Sequence, residues 1–400
     1  MREVKRMLHN NRFASSKGKV LLCFLTILLL SGCGQKHESI IIGRVHQLRS
    51  AIMDESRYLY IYKPEGYELS GKRYPVLYLL DGDAHFNHVA GIIEFLAQRV
   101  QIPKMIVVGI QVENPEIDFS NFQEIKESGA SPNNQFLRFI ESEVIPYIEE
   151  NYNTQPYRIL AGHSLGGLCV LNTMLTKPGI FNAYLSISPW LKHNNNQILR
   201  DIKDQIPSRT YTNDFLFISY AGTEYYALDQ FEELEEILSK GALGTLRWTV
   251  NVQDQECHET TSNPGIWQGI KLLYADWRVP HFMMRSGIET INTHFKNISK
   301  QFGYDILIPE LVLNIVGYQI LETGDFEEAI TIFEQTVDTY PNSANAYDSL
   351  GDAYEQAGNL ELALDSYNMA YEKAIRMDDP NLKMYKNHIS RIRKKLRDSS

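Results

Sequence analysis

The chain has 400 residues, 44% of them hydrophobic and 22% charged, with a formal net charge of −10 at pH 7. This composition excludes whole-chain disorder, and 25 Gly with 15 Pro exclude a collagen-like or low-complexity chain. The acid excess argues against a phosphate-backbone binder, which draws on clustered Lys and Arg, so no nucleic-acid partner is expected.

The first 32 residues differ from the rest. Arg2, Lys5, Arg6, Arg12, Lys17 and Lys19 face a single acid, Glu3, before an apolar run from Val20 to Leu30. A basic stretch followed by an apolar one is the order of a secretory signal, and this run is well short of the ~20 residues a spanning helix needs. Leu30-Ser31-Gly32-Cys33 resembles the lipobox of bacterial lipoproteins. Residues 1–32 therefore read as a lipoprotein signal peptide and Cys33 as a lipidated N-terminus, which would hold the protein at a bacterial envelope on its periplasmic or extracellular face. Without the leader the chain carries 33 bases against 48 acids, a charge near −15. Cys169 and Cys257 then remain, too few for a disulfide framework and without zinc-site spacing, so no metal or cofactor is expected.

Residues 33–285 alternate strand-like and helical stretches. Arg57 to Tyr62 alternates as a strand, Tyr74 to Leu80 and Met105 to Ile110 read as buried strands, and Phe136 to Glu150 repeats apolar residues at helical spacing. Tyr157 to Ala161, Ala183 to Ile187, Phe215 to Tyr220 and Leu246 to Val252 are further strands. The pattern predicts an α/β domain on a mostly parallel sheet, with its site at the carboxyl ends of the strands.

Residues 286–378 lose the strand signal and gain a repeat. Gly317, Gly324, Ala329 and Phe333 recur 34 residues later as Gly351, Gly358, Ala363 and Tyr367, the period of tetratricopeptide repeats. Two such units are fewer than an array usually needs. They are therefore expected to pack on the α/β domain, on the helix from Ile288 to Phe302, or on a second copy, and to offer a surface for a protein partner. Residues 379–400 form a basic tail that reads as a solvated capping helix, with anionic lipid headgroups as the sharper alternative.

The chemical signal is Gly162-His163-Ser164-Leu165-Gly166, which follows a buried strand and precedes a helix. In that context the glycines allow the sharp turn of a nucleophile elbow and expose the Ser164 hydroxyl. A serine needs a base to take its proton and a carboxylate to orient that base, and in this arrangement both follow it in the chain. His258, in the loop after the strand Leu246 to Val252, is the expected base. Glu224, in the loop after Phe215 to Tyr220, is the expected acid, with Asp229 as runner-up. His281, His294 and His388 read as structural, and His163 is expected to point away from the elbow. Backbone amides of Leu165 and Asp83 are the expected oxyanion donors, with Gly82 allowing the turn that aims the second.

Residues from about 46 to 278 resemble the putative esterase family of α/β-hydrolases, which includes siderophore, feruloyl and formylglutathione esterases. The resemblance rests on Tyr74 to Gly82, Ile106 to Ile110, Phe139 to Ile148, Gly162 to Gly167 and Ile187-Ser188-Pro189. It implies a Ser/acid/His esterase with Ser164, Glu224 and His258 on the triad positions, and a substrate cleft lined by Trp190 and its neighbours Lys192 and His193. Many members carry an Arg-Asp pair where this chain reads Asn114 to Phe119. A catecholate siderophore is anionic and suits an acidic chain poorly unless Lys192, His193 and Arg138 compensate. The expected function is thus an envelope-anchored serine esterase acting on a small ester through an acyl-enzyme. A siderophore esterase or acyltransferase is the alternative, and a non-catalytic binding module using the repeats is the other.

Overall fold

The computed structural model describes residues 40–120, 135–211, 213–242 and 246–399, and residues 42–400 form one compact unit. The expected signal peptide and the expected lipidation site Cys33 lie outside the described residues.

Eight strands form one sheet: β1 (Arg44–Arg49), β2 (Ser56–Tyr62), β3 (Tyr74–Leu79), β4 (Ile106–Ile110), β5 (Thr154–His163), β6 (Ala183–Ile187), β7 (Phe215–Ala221) and β8 (Arg247–Gln253). Their order is β1-β2-β4-β3-β5-β6-β7-β8. β2 runs antiparallel to both β1 and β4, and every other pairing is parallel. The central strands β3, β4 and β6 are buried along their whole length, which is why they read as continuous apolar runs rather than alternating ones. β1 gave no such signal, because as an edge strand it is mostly exposed and carries Arg44, His46, Gln47 and Arg49. The helical stretch over 135–151 is interrupted by a π-helical turn at Ile140–Val144, which a 3.6-residue period does not reveal.

Helices cover both faces. The ones that bear on the site are α1 (Gly82–Gln98), α2 (Leu165–Thr176), α3 (Leu228–Gly241) and α4 (Ser262–Leu273). The loop after β4 is fixed by a buried ion pair. Both Arg57 guanidinium ends donate to Asp118, at 2.8 and 3.0 Å, and Asp118 also accepts from the amides of Glu113 and Asn114. In this chain β2 supplies the arginine to the loop's acid. Removing one partner of a pair buried this deeply leaves an uncompensated charge, at a cost of about 3–5 kcal/mol.

The helical part comprises α5 (Ile288–Phe302), α6 (Glu310–Thr323), α7 (Phe326–Thr339), α8 (Ala344–Gln356), α9 (Leu360–Met377) and α10 (Leu382–Ser399). It packs on the α/β domain, and α5 is the intermediary. Ile291, Phe295, Ile298 and Phe302 are buried in one apolar cluster with Leu77, Val107 and Tyr157 of the sheet and with Val312 and Val316 of α6. Phe302 stacks on Tyr274 at 4.9 Å and meets Tyr157 edge-on at 5.0 Å. The shortness of the repeat array is thereby offset, since its first helix closes on a core that already exists. At the far end Tyr385, Ile389 and Ile392 of α10 are buried, and Arg391 and Lys395 both reach Glu355 at 2.6 and 2.8 Å. The tail is thus a helix with one packed face, and these two cations are spent within the repeat.

The 34-residue spacing has a steric cause. A Cβ on Gly317 would stand 2.6 Å from the Phe333 ring, and one on Gly351 would stand 2.6 Å from the Tyr367 ring. Each repeat places an aromatic ring where its partner helix has no side chain. G351A is therefore expected to destabilise the protein by about 1–3 kcal/mol, the usual cost of overpacking. A denaturant midpoint unchanged from the wild type would contradict this.

Candidate active site

The site assembles from five loops at the carboxyl ends of β3, β5, β6, β7 and β8. Ser164 stands between β5 and α2 with φ 57° and ψ −117°, a conformation an L-residue adopts only when its surroundings impose it. Its amide donates to the Ile187 carbonyl at 2.9 Å, and its own carbonyl accepts from Leu168 at 3.0 Å. Gly162 is required on grounds of space, because a Cβ there would lie 2.5 Å from the Gly166 backbone across the turn.

Ser164 and His258 meet through Oγ and Nε2 at 2.9 Å, and His258 Nδ1 lies 2.6 Å from Glu224 Oε1. With Nδ1–H donating to the carboxylate, Nε2 is left as the acceptor for the serine hydroxyl. Glu224 is 4% exposed and held on every side. The Ser188 hydroxyl donates to Oε2 at 2.8 Å, the Ala221 amide donates to Oε2 at 2.7 Å, and the Tyr226 hydroxyl donates to Oε1 at 3.2 Å. Burial alone would push this carboxyl up, but the hydrogen bonds from His258, Ala221 and Ser188 outweigh it and hold the group below its ordinary value. In turn the hydrogen bond to Glu224 raises the His258 imidazole above its ordinary value against the opposing effect of its burial. The runner-up Asp229 lies exposed in the first turn of α3.

Leu165 and Asp83 occupy the first turns of α2 and α1, where amides have no intrahelical acceptor. The two turns adjoin, since a Cβ on Gly166 would meet Asp81 Oδ2 at 3.0 Å. The expected role of Gly82 needs correction. The left-handed residue of this turn is Asp81, at φ 52°, while Gly82 is a glycine because a Cβ would fall 2.5 Å from the Gly109 backbone on β4. Burial, with Asp83 and Asp118 nearby, pushes the Asp81 carboxyl up to about 7.

Trp190 adjoins Ser164, its amide 3.3 Å from the Ser164 carbonyl, and the residue is 47% exposed. His193 packs on that indole at 5.3 Å, and Lys192 reaches the Tyr226 carbonyl. Tyr225 and Tyr226 add two more exposed rings to this rim. Arg138 sits on the exposed face of the segment Gln135–Phe139. Of the remaining histidines, His281 is exposed on a short helix, His294 lies on α5, and His388 pairs with Asp348 in the repeats at 2.8 Å.

His163 does not point away from the site. Its ring lies 4.7 Å from that of His258 and 5.5 Å from that of His85, and its Nε2 is 2.7 Å from the His258 carbonyl. The turn at Ser164 carries the serine side chain up from the sheet, which leaves the last residue of β5 room to face the β8 loop. Ser188 and Tyr226 were also not anticipated as partners of Glu224. Ser188 had a signal in its position directly after β6, whereas Tyr226 had none. Among the described residues no group of three or more His, Cys, Asp or Glu is arranged to hold a metal ion. Cys169 is buried, its thiol pushed up by burial, and Cys257 is half-buried beside His258.

A nucleophile elbow with an imidazole and a buried carboxylate in line, on an eight-stranded mostly parallel sheet, is the architecture of an α/β-hydrolase. Residues 50–220 match the family described as "Putative esterase", and residues 321–380 match the tetratricopeptide repeat family. The α/β part of the chain is thus similar to that esterase family, and the part behind it to tetratricopeptide repeats. The ferri-bacillibactin esterase BesA of Bacillus subtilis is 32% identical over 164 residues, covering 35% of this chain and 56% of that protein. The apo-salmochelin esterase of Escherichia coli is 26% identical over 170 residues, covering 38% and 52%. The chain thus spans about half the length of these curated relatives. The crystal structure of an IroE-like serine hydrolase from Shewanella oneidensis superposes with a TM-score of 0.63 at 25% identity, covering 74% of this chain and 98% of that one.

The electrostatics of the pair can be tested directly. His258 is expected to titrate above about 6.5, because the folded protein stabilises its protonated form through Glu224. E224Q removes that stabilisation and should lower the midpoint, while D229N should leave it in place. Histidine NMR measures both, and a midpoint unmoved by E224Q would rule out the pairing.

Proposed function

We propose that this protein is a serine esterase that cleaves an ester of a siderophore through an acyl-enzyme. The observation that carries the reading is the unbroken line of hydrogen bonds from Ser164 through His258 to Glu224. Ser164 Oγ attacks the ester carbonyl as His258 Nε2 takes its proton, and Glu224 stabilises the imidazolium without itself accepting the proton. The amides of Leu165 and Asp83 donate to the tetrahedral oxyanion. His258 then protonates the departing alkoxide, the ester C–O bond breaks, and the acyl group is left on Ser164. Water activated by the same imidazole adds to the acyl carbon, and its collapse returns the free acid and the serine. An added alcohol in place of that water would give acyl transfer.

This substrate class differs from the general small ester that the chain's acidity suggested. The relatives named as ferri-bacillibactin and apo-salmochelin esterases support it. So does the rim, where Trp190, Tyr225 and Tyr226 offer flat apolar faces and Lys192 offers a cation to an aromatic, anionic ligand. The local cation matters more than the net charge of −15, because at physiological salt exposed charges farther off than about 8 Å are largely screened. In this reading Cys33 carries the lipid at the bacterial envelope, and the repeats offer a surface to a protein partner.

S164A should abolish turnover of a p-nitrophenyl ester and labelling by a fluorophosphonate probe, and activity that survives would remove Ser164 as nucleophile. The intact enzyme should hydrolyse a catecholate trilactone with kcat/KM at least about tenfold above that for the short ester, a difference worth about 1.4 kcal/mol. The reverse order would return the assignment to a general small-ester hydrolase. Metabolic labelling with a palmitate analogue should be lost in C33S.

A further inference from the structure

His163 is bonded not to the side chain of His258 but to its backbone. A carbonyl oxygen only accepts, so at 2.7 Å the imidazole must carry its proton on Nε2 and donate it to the His258 carbonyl. The ring is held in that orientation between two others, His258 at 4.7 Å and His85 of α1 at 5.5 Å, with His88 a further 5.3 Å from His85. The amides of the β8 loop itself close on other carbonyls, Glu256 on Gln253 and both Thr260 and Thr261 on Cys257. Thr223 donates to the Glu256 carbonyl at 3.2 Å from the β7 side. The loop that bears the base is therefore anchored from β7 through Thr223 and from β5 through His163.

The β5 anchor has one geometric property the others lack. His163 and Ser164 are adjacent, so the hydrogen bond ties the base's backbone to the peptide unit beside the nucleophile. Movement of β5 against β7 or β8 would change the distance from Glu224 to Ser164, but would carry His258 along with the serine.

We propose that His163 is a positioning residue for the esterase reaction, fixing the His258 backbone to the nucleophile's own strand through a neutral, Nε2-protonated imidazole. This rests on the triad reading given above. The charge state follows from the surroundings. Burial lowers the His163 pKa first and the facing His258 lowers it further, while the hydrogen bond to the His258 carbonyl, then Glu224 and Glu259, oppose these effects without reversing them. Burial together with His163 and His88 pulls His85 down to about 4, so it adds no charge beside His163 near neutral pH.

The first test needs no variant. Histidine 15N NMR of the intact protein should show His163 as the Nε2–H tautomer, still neutral while His258 titrates, because its pKa is held below the ordinary value and that of His258 above it. A proton on Nδ1, or titration of His163 together with His258, overturns the proposal whether or not the protein is an esterase. The second test is kinetic. H163F keeps a ring between His85 and His258 but deletes the donor, and H163Q restores a donor near the Nε2 position. H163F should lose about 10–100-fold in kcat with KM within about twofold, the cost of a base displaced by a fraction of an ångström. H163Q should recover most of that loss. Full kcat in H163F, or equal losses in both variants at matched melting temperature, overturns the proposal while leaving the S164A result to judge the triad reading separately. Should H163F fail to fold, H163Q decides alone, and a loss of more than about tenfold counts against the role.

Discussion

Ser164 occupies a backbone conformation that costs an L-residue about 1–3 kcal/mol, and much of the surrounding structure serves to hold it there. The constraint is steric first. Gly162 and Gly166 touch across the turn, and Ile187 on β6 takes the serine amide, so the hydroxyl has one direction in which to point. Everything that meets it comes from a neighbouring strand end. β7 leads to Glu224 and β8 to His258, while β6 leads to Ser188, which donates to the same carboxylate. The parallel pairing of β5 through β8 sets these loops side by side at one edge of the sheet.

Much of this was legible in the residues, for reasons that differ from part to part. The central strands were readable because burial on both faces demands apolar side chains throughout, and the elbow because its glycines answer to space. The 34-residue repeat was readable because an aromatic ring and a missing side chain must recur together. What escaped was whatever depends on direction at a chain reversal. Gly82 looked like the hinge of its turn, yet Asp81 bends and Gly82 makes room for Gly109. His163 appeared to face away because adjacent side chains usually diverge, yet the positive φ of Ser164 changes that relation. β1 escaped because an exposed edge strand needs no apolar face.

The electrostatics of the site depend on position rather than on total charge. Glu224 stays ionised although buried, because three donors besides His258 surround it. Asp81, comparably enclosed and facing other acids, is pushed towards neutrality instead. Two carboxyls near one another are thus shifted in opposite directions, Glu224 by the donors around it and Asp81 by burial and its acidic neighbours, which separates the group that supports a cationic imidazole from the one beneath a helix start.

The apolar seam at α5 has a mechanical meaning for the whole molecule. Phe295 and Phe302 lie in the same core as Leu77 and Val107, so the repeats are not cargo on a tether. Whatever the repeats bind would be held at a fixed position relative to the sheet. The appendix therefore acts as a fixed outrigger rather than a free arm, and cutting the chain at residue 286 would strip the lining from Tyr157, Tyr274 and Trp277 and leave that wall bare to water.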